Sequence, residues 1–396
     1  MVEIYQRNKK QRGLGVKPLS LFMAIAVSLM GIVAIQGSMN PTKAVDFRTV
    51  ADDQNFNPFE ANKGFSVLSL GDVTLGNGEL EGSLAAFGSV QSDKQNYPLV
   101  HKVAGLDDYI VPQIDGLPVR LLGNQFIGSG NIAVTNAGAP VGTNESGAGA
   151  KLVDVSNLTP SERGDFVRLH VTGGNADSGN LDLEKFKWAN HNVSDYQAEK
   201  PSVAAYFGDI QTHIANTNKC LSSLYTIANK VEVVSEGDMA FVSDFSTTQP
   251  NYIDYKDIAG KIIKMDRAEG YKPSVDAPLV VRVPEGTTEL GKLNFEGWSS
   301  AASADQDLAR YILLDLSQST GTVTIDGLEL GAIWAPQANL HYNSNITTNG
   351  QWFAKDVTIE GAGEVHHHTF LGKLPCGDVP VPGVDPSIGT TVKVVG

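Results

Sequence analysis

Two stretches decide the fold, Gly331–Leu340, "GAIWAPQANL", and Gly350–Ile359, "GQWFAKDVTI", because one aligns over the other without a gap. The alignment has a constant offset of 19 residues and places Gly331 over Gly350, Ile333 over Trp352, Ala335 over Ala354, Ala338 over Val357 and Leu340 over Ile359. Apolar and small residues that recur with a period near 20 predict parallel strands stacked as β-solenoid rungs. Two antiparallel strands of similar pattern are the alternative.

Much of the remaining chain has the same texture. Residues 65–90 and 118–138 alternate apolar with small or polar residues and are broken by glycines, which predicts short strands. The segment 82–90 begins with the same Gly-x-apolar-x-Ala pattern as the two aligned stretches. Strand-like segments return after residue 238.

The middle of the chain differs. Residues 203–227 carry apolar side chains at spacings of three, four and seven, which predicts an amphipathic helix that begins after Pro201. The preceding stretch 182–192 is a shorter helical candidate. We therefore expect a mainly β chain with a β-solenoid or β-helix-like domain and a long α-helix packed alongside.

The N-terminus has the pattern of an export signal. Basic residues precede the apolar run Leu21–Ile35, and small residues near Ala44 provide a cleavage site. Fifteen apolar residues are short for a membrane span. We expect a signal peptide over 1–44, a β-rich domain over 45–375, and a Pro-rich linker with the start of a stalk-like β-module over 376–396. An uncleaved anchor is the alternative to the signal peptide.

The charge balance limits the partners. The chain has a net charge of −14, and residues 1–44 hold six Lys or Arg and one acid, so the remainder carries −19. Such an acidic surface repels nucleic acid and anionic lipid but accepts cationic or divalent-ion partners. We expect an extracellular protein or glycan ligand and no nucleic acid.

The chain has two cysteines, Cys220 and Cys376. Export makes a disulfide between them the expectation, and two unpaired thiols are the alternative.

Three of the eight histidines stand in "GEVHHHTF", residues 363–370. On a strand His366 and His368 share a face, and such a pair binds zinc only when further ligands join it. The alternative is that these rings close the final rung by bonding turn backbone. In the 19-residue alignment His341 lies opposite Glu360, which predicts a charge pair on the outer face.

Oxygen-bearing side chains alternate in "GGNADSGNLDLE", residues 173–184. Asp177 and Asp182 are the candidate calcium ligands there, although the full twelve-residue spacing of a calcium loop is missing. A turn capped by Asn and Asp side chains is the alternative.

No pattern typical of an enzyme is present. The sequence has no Gly-x-Ser-x-Gly, no phosphate-binding glycine loop and no dinucleotide fingerprint. A pair of carboxylates acting on polysaccharide stays open as an alternative. We expect no catalysis and no cofactor, apart from the calcium option.

Two blocks of the sequence resemble the choice-of-anchor A domain. The first block matches a "gD…EG.lAa.G" pattern, and the second a "G..lAP.A…ng.i.Gq" and "geiH...F.G" pattern. The matching residues are Gly71, Asp72, Glu81, Gly82, Ala85, Gly88, Gly331, Ala335, Pro336, Ala338, Asn349, Gly350, Gln351, Ala354, Gly363, Glu364, His366, Phe370 and Gly372.

The resemblance covers roughly residues 55–373 and implies a bacterial secreted or cell-surface protein of adhesin type, with no established catalytic residues. It also implies attachment to the cell envelope, and an anchor of its own is not seen in this chain. Trp298, Trp334 and Trp352 are candidate contact residues, and the alignment favours Trp352 as core. The alternatives are a structural surface or stalk subunit without ligand and a polysaccharide-active enzyme.

Overall fold

The computed structural model describes residues 55–101, 109–136, 147–184, 191–298 and 305–376. The expected signal peptide lies outside these ranges, as does the expected linker except for Cys376.

The described chain is mainly β, as expected, and has few helices. The strands are β1 Asn55–Phe56, β2 Val67–Ser69, β3 Val73–Leu75, β4 Leu80–Glu81, β5 Leu84–Ser92, β6 Tyr97–Val100, β7 Gln113–Ile114, β8 Leu117–Phe126, β9 Asn131–Val134, β10 Gly149–Asp154, β11 Leu158–Arg163, β12 Phe166–Val171, β13 Asn180–Glu184, β14 Asn229–Lys230, β15 Glu232–Glu236, β16 Met239–Ser243, β17 Asn251–Asp254, β18 Ile262–Lys264, β19 Leu279–Arg282, β20 Glu289–Leu290, β21 Ile312–Asp315, β22 Gly321–Ile325, β23 Ala332–Asn343, β24 Thr348–Gly350, β25 Trp352–Glu360, β26 Val365–His367 and β27 Leu374–Pro375. The α-helices are α1 Ile210–Leu224 and α2 Tyr255–Ile258, and short 3₁₀ helices cover Pro58–Asn62, Val193–Tyr196, Ala204–Tyr206 and Gln306–Tyr311.

Two large sheets contain most strands. The larger sheet has the order β10-β8-β5-β2-β25-β23-β21-β19-β17-β14, with β3, β7, β20 and β22 joined to it, and its pairs are parallel except β7 with β8. The second sheet has the order β11-β12-β13-β9-β6-β4-β26-β24. Strands β2 and β3 follow one another between β5 and β25, which closes a ring of four parallel strands.

The register between β23 and β25 confirms part of the alignment. Ile333 pairs with Trp352 and Ala335 with Ala354, in parallel and at the predicted offset. The antiparallel alternative is therefore wrong. Beyond Ala335 the register shifts, so Leu340 pairs with Val357 and Tyr342 with Ile359. The predicted matches of Ala338 with Val357 and of Leu340 with Ile359 are therefore wrong.

The shift lies between Ala335 and Asn339, a segment that contains Pro336. Proline has no N–H to donate, so within sheets it is confined to edges, strand starts and irregular positions. The chain takes two extra residues at this point in β23 before regular pairing resumes at Asn339.

Around residues 352–354 the larger sheet buries apolar residues on both faces. In β25, Trp352 and Ala354 join the cluster shared with the second sheet, whereas Phe353 joins the cluster beneath α1. Trp352 is fully buried, which confirms the prediction that it is a core residue. A continuous run of buried residues is typical of a strand covered on both faces.

Helix α1 begins later than the pattern predicted. A 3₁₀ turn at Ala204–Tyr206 and Gly208 with φ of 69° precede it, and the Asp209 side chain caps it by accepting from the Thr212 N–H at 3.1 Å. The helix packs Ile214 and Leu221 into the cluster that contains Trp334 and Phe353 of the larger sheet.

The shorter helical candidate is wrong where the structure describes it. Leu181 and Leu183 alternate with polar residues in β13, and both are buried between β9 and β12. The apolar residues of this segment recur every two residues, as in a strand, and not every 3.6 residues, as in a helix. Residues 185–190 lie outside the described ranges.

A disulfide joins Cys220 of α1 to Cys376, which follows β27. Strand β27 in turn pairs antiparallel with β1, so the two ends of the described chain meet. The covalent bond thus holds the helix and the last strand together.

Candidate ligand-binding face

A row of polar side chains crosses five parallel strands of the larger sheet in the part that follows the register shift in β23. Its members are in direct register, one from each strand: Thr324, His341, Thr358, Thr74 and Gln91. Their strand neighbours Val323, Leu340, Val357, Val73 and Val90 are buried. Alternation along each strand therefore directs the row to solvent.

A second row runs beside the first, and together they form what we call the polar face. It consists of Thr322, Asn339 and Asp356, which are strand partners, and of Asp72 and Ser89, which hydrogen bonds connect to Asp356. Adjacent parallel strands lie about 4.8 Å apart, so each row repeats at that spacing.

Side-chain hydrogen bonds hold the polar face in place. The Asp72 N–H donates to Asp356 Oδ1 at 2.9 Å, and the Ser89 N–H donates to Asp72 Oδ1 at 2.6 Å. Gln91 Nε2 donates to Thr74 Oγ1 at 2.9 Å. The carboxylates of Asp72 and Asp356 thus join neighbouring strands, a role that the sequence analysis missed because it depends on the shifted register.

The predicted pair on the outer face is present. His341 Nε2 lies 2.9 Å from Glu360 Oε2. The strand partner of His341 is Thr358 and that of Glu360 is Asn343, so the contact is diagonal rather than direct.

The aromatic contact candidates do not lie on this face. Trp334 is fully buried and donates from Nε1 to Asn218 Oδ1 of α1 at 2.9 Å, and Trp298 is 8% exposed. The prediction that Trp298 or Trp334 is exposed is wrong, because α1 covers Trp334 and Trp298 packs against Phe295 and Tyr271.

The three histidines of "GEVHHHTF" are all buried but have different surroundings. His367 contacts Ser66 Oγ through Nδ1 at 2.8 Å and Thr369 Oγ1 through Nε2 at 3.0 Å. The bonds expected from the ring to turn backbone are made here to hydroxyl groups. The ring nitrogens of His368 have no hydrogen-bond partner among the described residues. Burial lowers the pKa of both rings to about 3.

His366 lies in a group that could hold a metal ion. Its ring and the carboxylates of Glu79 and Glu364 offer ligand atoms within 4.8 Å of one another. His366 Nε2 is 3.0 Å from Glu364 Oε2 and 3.8 Å from Glu81 Oε1. His368, the other zinc candidate, is not a member of this group.

The two calcium candidates have separate environments. Asp182 accepts from Arg168, Nε to Oδ1 at 2.7 Å and Nη2 to Oδ2 at 2.8 Å. Asp177 lies in an exposed turn where its N–H donates to Asn175 Oδ1 at 3.1 Å. Neither residue joins a metal-ligand group within the part of the chain that the structure describes.

Comparison with known proteins gives one match. The family model described as "Putative Ice-binding-like adhesive domain" matches residues 58–367, and it does not name the choice-of-anchor A domain. No curated protein and no solved structure matches the chain. No helix in the described ranges is long and apolar enough to span a membrane. The family model covers more than half of the chain, and the chain therefore belongs to this ice-binding-like adhesive domain family.

Proposed function

We propose that the chain is a non-catalytic, extracellular adhesin-type module of a bacterial surface, which binds a matrix protein or glycan through the polar face. Membership of an adhesive domain family supports a surface adhesive role at a coarse level. The two sequence blocks that resemble the choice-of-anchor A domain support the finer assignment. Attachment to the cell envelope is part of this proposal.

The polar face is the observation that carries the proposal. Its rows come from parallel strands whose positions are fixed by backbone pairing and by the Asp72 and Asp356 side chains. Association is opposed by the ordering of side chains and loops, so a surface that is already ordered loses less on binding. Hydroxyl, amide and carboxylate groups in regular rows suit a polar repeating ligand.

The same register supports a solenoid description of this region. Successive parallel strands β22, β23, β25, β3 and β5 present equivalent positions to solvent and to the core. We propose that the chain winds here as solenoid-like rungs, with β2, β3, β5 and β25 as their most regular part.

The test places two arginines in the centre of the polar face. Thr74 and Thr358 are cross-strand partners, and Thr74→Arg with Thr358→Arg makes the face bulky and cationic. The matched control is Thr159→Arg with Thr172→Arg, an exposed pair whose Oγ1 atoms lie 2.9 Å apart. We expect the purified protein to bind immobilised matrix proteins or glycans saturably, the face variant to lose binding, and the control to keep it. Equal binding by both variants would remove the polar face from the proposal.

Ice is the second candidate ligand, because the family description refers to ice binding. Thr358 and Thr74 on adjacent strands, with Thr324 two strands from Thr358 in the same row, favour it. The strongly hydrated carboxylates of Asp72 and Asp356 in the neighbouring row oppose it. Thermal hysteresis that disappears in the Thr74→Arg/Thr358→Arg protein would favour ice over a polymer ligand.

A further inference from the structure

A polar cleft lies at the end of α1, beside the part of the larger sheet that the helix covers. It has a volume of about 500 Å³, within the range of small-ligand sites. The row of residues beneath α1 explains its position. Asp254, Arg282, Asp315 and Trp334 are consecutive partners across β17, β19, β21 and β23. The helix covers Trp334, and the charged end of the row lines the cleft.

Arg282 is held rigidly in this cleft. Its Nε donates to Asp254 Oδ1 at 2.5 Å and its Nη2 pairs with the same oxygen. Its guanidinium lies 4.7 Å from the ring centroid of Tyr225 and 5.2 Å from that of Tyr252. Nη1 makes no hydrogen bond to a described residue, so a preorganised donor remains for a ligand.

The carboxylates behind Arg282 are already occupied. Asp254 Oδ2 accepts from Lys230 Nζ at 3.0 Å. Asp315 is buried, its Oδ1 accepts from the Ser317 N–H at 2.8 Å, and its Oδ2 accepts from the Tyr225 hydroxyl. These groups position the wall of the cleft rather than offer free acceptors.

The other charged side chains that line the cleft include a second cation, Lys256. Lys256 is exposed and has no ion pair among the described residues. It also lines a neighbouring cleft whose other charged residues are Lys230, Lys261, Glu232 and Asp257. Glu285 at the rim is the opposing carboxylate of the first cleft. A chain with net charge −14 thus brings the fixed Arg282 guanidinium and the Lys256 ammonium to one cleft. The carboxylates of Asp254 and Asp315 in its wall are already hydrogen-bonded.

We propose that this cleft binds an acidic sugar unit, whose carboxylate pairs with Arg282 and Lys256 and whose hydroxyl groups donate to Glu285. A guanidinium with a free edge and an adjacent ammonium match a carboxylate, because charge-assisted hydrogen bonds are the strongest of their kind. This binding is independent of the polar face.

The test compares methyl β-glucuronide with methyl β-glucoside, two ligands that differ only at the carboxylate, by ligand-observed NMR titration of the full chain. We expect the glucuronide to bind at least about tenfold more tightly than the glucoside, since one charge-assisted contact is worth about that factor. Lys256→Gln removes an exposed side chain and should weaken glucuronide binding about tenfold. Arg282→Lys keeps the charge beside Asp254 but loses the guanidinium edge, and it should weaken binding as well.

Lys219→Gln is the matched control, because Lys219 is an exposed residue of α1 that does not line the cleft. It should bind the glucuronide as the wild type does. Equal affinity for the two sugars, no saturable glucuronide binding, or wild-type binding by folded Lys256→Gln protein would each overturn the proposal. The Thr74→Arg/Thr358→Arg protein should still bind the glucuronide, so failure of the polar-face proposal and failure of this one are distinguishable.

Discussion

The buried histidines His367 and His368 predict a steep loss of stability in mild acid. Burial lowers the pKa of each ring from its ordinary value of 6.5 to about 3, and for His367 the Arg310 charge acts in the same direction. Both rings are therefore neutral in the folded protein over the pH range of interest. In the unfolded chain each ring takes up a proton below pH 6.5, so the stability that these residues contribute is lost as pH falls from about 6.5 toward about 3.

The size of the effect follows from that difference in proton uptake. A pH of 5 is about 1.5 units below the pKa of a histidine in the unfolded chain. Proton uptake by the unfolded chain therefore favours unfolding by about 2 kcal/mol per residue. Two such residues amount to about 4 kcal/mol, a large share of the 5–15 kcal/mol stability of a typical domain.

The assay is urea unfolding of wild type, His367→Gln and His368→Gln at pH 7.5 and pH 5.0. Each substitution can change stability at pH 7.5, but the quantity of interest is the loss between the two pH values. That loss should be smaller by about 2 kcal/mol in each variant than in the wild type. His341→Gln, which removes a half-buried imidazole on the outer face of the sheet, controls for the loss of a histidine as such.

The reasoning is refuted if both buried-site variants keep the full wild-type loss between pH 7.5 and pH 5.0. In that case His367 and His368 are charged in the folded protein at pH 5, and their neutrality is not what makes the fold sensitive to acid.

Three further predictions concern stability, each measured by urea unfolding at pH 7.5. The Cys220–Cys376 bond spans 156 residues, so its loss in the double serine variant should cost up to about 5 kcal/mol, and an unchanged unfolding midpoint would contradict this. Gly350→Ala should cost about 1–3 kcal/mol because its Cβ would overlap the Gly331 carbonyl oxygen, whereas Gly291→Ala, with open space around it, should be near neutral. Trp352→Ala should cost about 3–5 kcal/mol, since the side chain is fully buried, and a smaller loss would mean that the site collapses around the cavity.

The local sequence pattern was sufficient for the parallel core. Ile333, Ala335, Trp352 and Ala354 recur at a fixed interval because neighbouring strands must fill equivalent positions against one core. The same argument failed after Pro336, where extra residues shift the register by an amount that no residue type specifies. It also failed at residues 182–184, where the pattern predicts a helix and the structure has the end of β13, because the segment contains too few apolar positions to separate the two periods.

Identifying the candidate sites required tertiary contacts to a greater extent than predicting the parallel core. The sequence offers zinc ligands or the closing of the final rung as roles for the three histidines. Only the packed structure separates His366, near Glu79 and Glu364, from His367 and His368 in the interior. The polar cleft was not predicted, because Tyr225, Asp254, Arg282 and Asp315 are far apart in the chain and meet only through strand pairing and the end of α1.

The sequence by itself determined the mainly β character, the parallel pairing of β23 with β25 as far as Ala335, the burial of Trp352 and the adhesive family character, because each follows from the local periodicity or from a contiguous motif. The tertiary structure alone decided that α1 covers Trp334 while leaving Arg282 at the open end of the same row, and that one face of the sheet is left polar and ordered. These outcomes depend on the order in which distant strands pair. That order is set by the burial of apolar surface over the whole domain, which no single segment specifies.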